Sequence, residues 1–125
     1  SQYFIEKALK KEELKIHGKN EKLDFTFVDD LANGCILAAT KSKGSNQIFN
    51  ITFGNARLLL DFAKILSTHF KGLKYKIIDR DKNRPKRGTL SNSKSRKLLG
   101  FKPKVNLEKG IRIYLDFFHT LKRKN

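Results

Sequence analysis

Between residues 75 and 104 the chain concentrates its cations. Lys76, Arg80, Lys82, Arg84, Lys86, Arg87, Lys94, Arg96, Lys97, Lys102 and Lys104 stand against only Asp79 and Asp81. Within this run "RDKNRPKRGTLSNS" holds one proline and one glycine and reads as a long basic loop, the kind of segment on which binding groups are carried. The chemistry on offer is attraction to polyanions: nucleic acid, anionic lipid or phosphate-bearing small molecules. Other reactive types are sparse. His69 and His119 stand alone, and no histidine or carboxylate pairing has metal-ligand spacing. Cys35 is the single cysteine, so no intrachain disulfide or cysteine metal site is available, and within "NGCILAA" it reads as a small buried apolar side chain. Asp29 and Asp30, in "DFTFVDDLANGC", suit a corner where a strand becomes a helix, their carboxylates meeting the exposed N–H groups and the positive end of the dipole. Asp29 reads as a helix cap rather than a catalytic acid.

The whole chain is basic, with a formal charge of +16 over 125 residues. This length suits one domain, or part of one, and a hydrophobic content of 38% fits a soluble globular protein. No apolar run approaches the ~20 residues of a membrane span. The opening "SQYFIEKALKKEELK" is amphipathic and carries acidic residues, unlike a secretory signal or transit peptide, so a cytoplasmic location is expected. The lack of any methionine, Ser1 included, hints at a chain cut from something longer.

The elements that must position these groups alternate between helix and strand. "YFIEKALKK" suits a short helix with Phe4, Ile5, Ala8 and Leu9 near helical spacing, and "LKIHG" a strand ending at Gly18. Alternation from Leu23 to Val28 predicts a second strand, followed by a helix over 30–40. "KSKGSNQ" is a surface loop. "QIFNITF", with Ile48, Phe49, Ile51 and Phe53, predicts a strand covered on both faces. In "GNARLLLDFAKILSTHF" Leu59, Phe62, Ala63, Leu66 and Phe70 make a helical stripe, with Asn55 as the expected N-cap. "LKYKIID" is another strand, "SKSRKLLG" a short helix closed by Gly100, and Ile111, Tyr114, Leu115, Phe118 and Leu121 form one face of a last helix. The class is α/β, in mixed α+β order, over a single unit of residues 1–125.

Taken together, "YFIEKALKKEELKIHGKNEKLDFTFVDDLANGCILA", "QIFNITFGNARLLLDFAKIL" and "YKIIDRDKNRPKRGTLSNSKSRKLLGFKPKVNLEKGI" resemble, in order, the C-terminal portion of extended short-chain dehydrogenases/reductases, the NAD-dependent nucleotide-sugar epimerases and dehydratases. The family's strand ending in a "DF-x-Y-V-D-D"-like corner, its "FNI" strand, its loop beginning "RP" and its helix ending "LLG-[WF]-x-P" all have counterparts. The glycine-rich dinucleotide fingerprint does not. The family's catalytic Tyr-x-x-x-Lys has a literal match at Tyr3 and Lys7, but it falls downstream of where that pair belongs; Tyr3 reads better as a packing residue and Lys7 as a solvated charge. The resemblance implies a substrate-binding segment without the Rossmann domain, binding no NAD(P) itself and inactive alone, in a parent that uses NAD(P).

The same resemblance assigns the site. Arg84, opening "RPKRG", matches the arginine that contacts the substrate diphosphate, where a planar guanidinium gives paired donors that lysine lacks. Pro85 would stiffen the loop. Arg87 either adds a second phosphate contact or is a solvated charge. His17 either stacks on the nucleotide base or is a half-exposed strand-end histidine. Leu23 replaces an arginine that many relatives use on the phosphates; Lys22 or Lys19 would then substitute electrostatically, and Asp24 would orient neighbouring basic groups. The implied partners are a nucleotide sugar and the Rossmann domain, in cis or in trans, with self-association where apolar surface is left uncovered and no membrane. The alternative is a small basic nucleic-acid-binding domain, suggested by the charge and by ten phenylalanines.

Overall fold

Leu14 and Ile16 are buried while Lys15 between them is exposed, the alternation of a strand with one face on a core. The computed structural model describes residues 2–124, and its contacts divide the chain into two units, Ser1–Leu23 with Ala56–Gly88 and Asp24–Asn55 with Thr89–Asn125. The class is mixed α/β, as expected.

In the first unit β1 (Leu14–His17) pairs in parallel with β4 (Tyr75–Ile78), Leu14 opposite Tyr75 and His17 opposite Ile78. Parallel neighbours need a long crossover, and this one contains α3 (Leu59–His69). Helix α1 (Gln2–Leu9) and α3 pack on β1. Their buried residues, Ile5, Ala8, Phe62, Ala63 and Leu66, are those the helical spacing picked out, and Phe4 meets Phe62 edge-on at 5.9 Å between ring centres. A short antiparallel pair joins β2 (Lys22–Leu23) to β3 (Arg57–Leu58). Asn55 is not the cap of α3, which starts later. Strand β3 occupies 57–58, and the Leu58 N–H donates to Asp61 Oδ2 at 3.3 Å.

The second unit holds α2 (Val28–Thr40), a 3₁₀ turn (Ser42–Gly44), α4 (Ser93–Leu99) and α5 (Leu107–Lys124), over a core of Leu99, Phe101, Leu107, Ile111 and Leu115. Gly100 ends α4 as expected, in the left-handed conformation with its N–H on Arg96. Asn106 caps α5, its Oδ1 accepting the Lys109 N–H at 3.0 Å. Leu121 of the expected α5 face, and the "KRKN" tail, lie outside the described side chains.

Several expectations are corrected in this unit. The strand over 23–28 stops at Leu23, and the helix begins at Val28. The segment 47–53 forms no strand, because no neighbouring strand among the described residues bonds to it and side chains satisfy its main chain instead. Asn92 Nδ2 donates to the carbonyls of Thr52 at 3.0 Å and Phe53 at 3.1 Å, Ser95 Oγ donates to Asn50 at 2.9 Å, and Thr26 Oγ1 accepts the Phe53 N–H at 3.0 Å. Asp24 does not orient cations: its carboxylate accepts the N–H groups of Gly54 and Leu90. The N-cap of α2 is Phe27, so Asp29 and Asp30 lie inside the first turn. Buried Asp30 reaches away, accepting the N–H of Lys104 at 2.9 and 3.0 Å and of Val105 at 2.9 Å.

Cys35 is exposed, not buried. It belongs to a stripe of Val28, Leu31, Ala32, Cys35, Ile36 and Ala39 that follows one helical face of α2 and is exposed throughout. The buried face of α2 is instead polar or small, Asp30 and Gly34, and Gly34 lets Ile51 approach closer than any Cβ would allow.

Asp30→Ala should lower the unfolding free energy by roughly 2–3 kcal/mol, since two part-buried amides lose a charged acceptor. Urea denaturation followed by circular dichroism measures this. A change within about 0.5 kcal/mol, the range of ordinary surface substitutions, would show that the carboxylate does not hold the 104–105 segment.

Candidate functional site

The main chain turns sharply after β1. Gly18 donates its N–H to the Ile78 carbonyl at 2.9 Å, extending the parallel ladder by one bond, and then adopts φ +85°, where L side chains are strained. A Cβ at this position would lie 2.9 Å from Glu21 Cγ and 3.2 Å from Arg80 Cβ. The turn 18–22 and the loop following β4 therefore approach each other at a point where only glycine fits.

Between them lies a cleft of about 250 Å³, lined by His17, Glu21, Lys22, Leu23, Leu59, Arg80, Asp81, Arg84, Pro85 and Arg87. All of these residues belong to the first unit. His17, Lys22, Arg84 and Arg87, the residues singled out in the sequence, are thus brought together; Lys19 is not in the lining. Leu23 and Leu59 give the cleft an apolar wall. The lining cations Lys22, Arg80, Arg84 and Arg87 outnumber the carboxylates Glu21 and Asp81, which leaves a positive surplus suited to a phosphate-bearing ligand.

The polar groups are already organised. Arg80 Nε donates to Glu21 Oε1 at 2.6 Å, and Arg80 Nη2 donates to the Arg84 carbonyl. Asp81 folds the loop on itself: its Oδ1 accepts the Asn83 N–H at 3.0 Å, its Oδ2 accepts Arg84 Nε at 3.2 Å, and its carbonyl accepts the Arg84 N–H at 3.2 Å. Arg84 keeps 67% of its side chain exposed, and its two Nη groups have no protein partner among the described residues. Such a guanidinium can give paired donors to an anion. Glu21, Arg80 and Asp81 escaped sequence reasoning. The one signal for Arg80 was its place in the basic run, where nothing distinguished a buttress from a ligand contact.

The Tyr3/Lys7 pair is outside the cleft. Lys7 is not a free solvated charge, because its Nζ pairs with Glu12 at 2.6 Å and lies 5.2 Å from the Tyr3 ring centre. The hydrogen bond that Lys7 Nζ donates to the Glu12 carboxylate raises the ammonium's pKa above its ordinary value. Tyr3 itself is exposed rather than packed in the core. Among the described residues no group of histidine, cysteine and carboxylate side chains could hold a metal ion, and no helix is long and apolar enough to cross a membrane.

Comparison with known proteins gives a consistent picture. The model for the NAD dependent epimerase/dehydratase family matches residues 1–52. An uncharacterised protein of Methanocaldococcus jannaschii is 31% identical over 117 residues, which make up 92% of this chain and 36% of that protein. The solved UDP-glucose 4-epimerase of Thermotoga maritima, with UDP-glucose, superimposes with a TM-score of 0.81 at 31% identity, covering 95% of this chain and 38% of the other. The UDP-glucuronic acid 4-epimerase of Bacillus cereus, in complex with UDP-glucuronic acid and NAD, gives a TM-score of 0.83 at 26% identity, covering 94% of this chain and 38% of the other. The chain therefore spans a little over a third of the length of these relatives.

Gly18→Ala should destabilise the first unit by about 1–2 kcal/mol through its left-handed backbone alone, with the contacts to Glu21 and Arg80 adding to that. Urea denaturation reads the loss. A variant as stable as the parent would show that the turn does not need its positive φ.

Proposed function

We propose that this chain, which belongs to the NAD-dependent epimerase/dehydratase family of extended short-chain dehydrogenases/reductases, supplies the nucleotide-sugar-binding part of such an enzyme. The observation that carries the reading is the gathering of His17, Lys22, Arg84 and Arg87 around one cationic cleft within one unit. In this reading Arg84 gives its free Nη groups to the diphosphate, Arg87 and Lys22 add positive charge, and His17 offers its ring to the base. Leu23 and Leu59 supply an apolar wall to the same cleft. The relatives solved with UDP-glucose and UDP-glucuronic acid support a nucleoside diphosphate as the ligand class.

In this reading the NAD site of the parent enzyme lies outside this chain. Bound NAD would supply the hydride acceptor, but the starts of α2 and α3 do not suit its pyrophosphate. Helix α3 is entered directly from Arg57–Leu58 without a glycine turn, and the Asp61 carboxylate already takes the Leu58 N–H. The first turn of α2 carries Asp29 and Asp30. By itself the chain would therefore do no chemistry; it would confer affinity and specificity on a parent that does.

The exposed stripe of α2, together with Ile48 at 88% exposure, fits a surface that the rest of such an enzyme covers. The nucleic-acid alternative is disfavoured. Of ten phenylalanines only Phe117 is exposed, so the count of ten that suggested base stacking shrinks to one. The basic run is also divided, Lys76 to Arg87 in one unit and Lys94 to Lys104 in the other.

Arg84→Lys should weaken binding of UDP about tenfold or more while conserving charge, because a charge-assisted hydrogen bond worth ~1.5–3 kcal/mol is lost. Isothermal titration calorimetry measures it, and an unchanged affinity would remove Arg84 from the site. The bare stripe should also make the chain self-associate at tens of micromolar, and Ile36→Lys should reduce this. Sedimentation velocity showing a monomer at every concentration would argue that the stripe needs no cover.

A further inference from the structure

Arg80 lines the cleft, yet its guanidinium is committed to protein. Its two partners belong to the two segments that wall the cleft: the Glu21 carboxylate from the turn after β1, at 2.6 Å, and the Arg84 carbonyl from the loop after β4. The pair is sheltered, with side-chain exposures of 28% for Arg80 and 19% for Glu21, so water and salt screen it less than a surface bridge. The Glu21 carbonyl also accepts the Leu59 N–H at 2.9 Å, which ties the carboxylate's own main chain to the start of α3. Glu21 is thus fixed from below, Arg80 spans the gap, and the main chain of Arg84 hangs from its far end.

From this geometry we infer that Arg80 is a positioning residue, a strut that fixes the backbone of Arg84 so that the Arg84 side chain meets an anion already oriented. The inference rests on the proposed function for the identity of that anion, a nucleoside diphosphate. Only a guanidinium does this work. Its rigid fork reaches a carboxylate and a carbonyl at once, whereas a lysine at 80 keeps the charge and the pairing with Glu21 but gives up the fixed second bond. Without the strut the loop must be ordered when the ligand binds, and affinity falls by that cost.

Glu21 makes the test decisive. Simple electrostatics says that removing a negative charge from a cleft that binds an anion tightens binding. The strut says the opposite: Glu21→Gln replaces the charge-assisted bond to Arg80 by a weaker neutral one, loosens Arg80 and weakens binding. Calorimetric titration of the chain with UDP should show Glu21→Gln and Arg80→Lys each weaker than the parent, by about tenfold for Arg80→Lys. Because Arg80 acts through Arg84, the losses should not add: Arg80→Lys in the Arg84→Lys background should cost no more than about twofold. Amide hydrogen exchange without ligand gives an independent readout. In both strut variants the N–H groups of Asn83 and Arg84 should exchange faster, while the β1 and β4 amides that bond across the ladder stay protected and report an intact fold. Tighter UDP binding by Glu21→Gln, additive losses, or unaltered exchange at 83 and 84 would each overturn the strut. If UDP binds neither parent nor variants, the diphosphate reading fails, and the exchange measurement alone decides whether Arg80 orders the loop.

Discussion

The parallel pairing of β1 with β4 is the contact on which the candidate site depends. Each strand contributes only four residues, and neither has another partner in its sheet among the described residues. The register places His17 opposite Ile78, so both strands end at the same level and the segments that follow them emerge side by side. From that constraint come the Gly18 turn, the approach of Glu21 to Arg80 and the cleft between 17–23 and 80–87. A shift of one residue would turn Leu14 and Ile16 away from the helices that bury them, so the register is set by the core and not by the polar groups of the cleft.

In the second unit the governing constraint is the need to satisfy main-chain polar groups without a sheet. Residues 50–54 and 104–105 run as irregular chain, and their N–H and carbonyl groups are taken up by Asp24, Thr26, Asp30, Asn92 and Ser95. Three of these side chains, Asp30, Asn92 and Ser95, are buried, where an unpaired polar group would be costly. None is available for chemistry, because each already has its backbone partners. This explains why Asp30 of the acidic corner, so conspicuous in sequence, is architecture here, while the exposed loop carries the free donors.

What was legible in the sequence follows from which interactions are local. The stripes of α1 and α3, the strands at 14–17 and 75–78 and the glycine closing α4 depend on periodicity or on a neighbour one turn away, and all appear where expected. The failures concern partners remote in sequence. The segment 47–53 has the composition of a buried strand, but a strand requires a neighbour, and its carbonyls bond instead to Asn92 and Ser95 some forty residues later. Cys35 looked buried because it sits among apolar residues, yet that whole face of α2 is exposed. The strut was illegible for the same reason: Glu21 and Arg80 are 59 residues apart, and no periodicity links them. Arg84, Arg87, His17 and Lys22 could be marked only through resemblance to a family, since composition alone made them four basic residues among many.

A diphosphate-binding cleft contained within the first unit is the central claim, and two-dimensional amide NMR of the chain during titration with UDP tests it most directly. The account predicts saturable shifts confined to residues 17–23 and 80–88, with the amides of the second unit unmoved at moderate salt, where exposed charges are screened beyond about 10 Å. Small, non-saturating shifts spread over lysines and arginines of both units would contradict it and show a basic surface without a site.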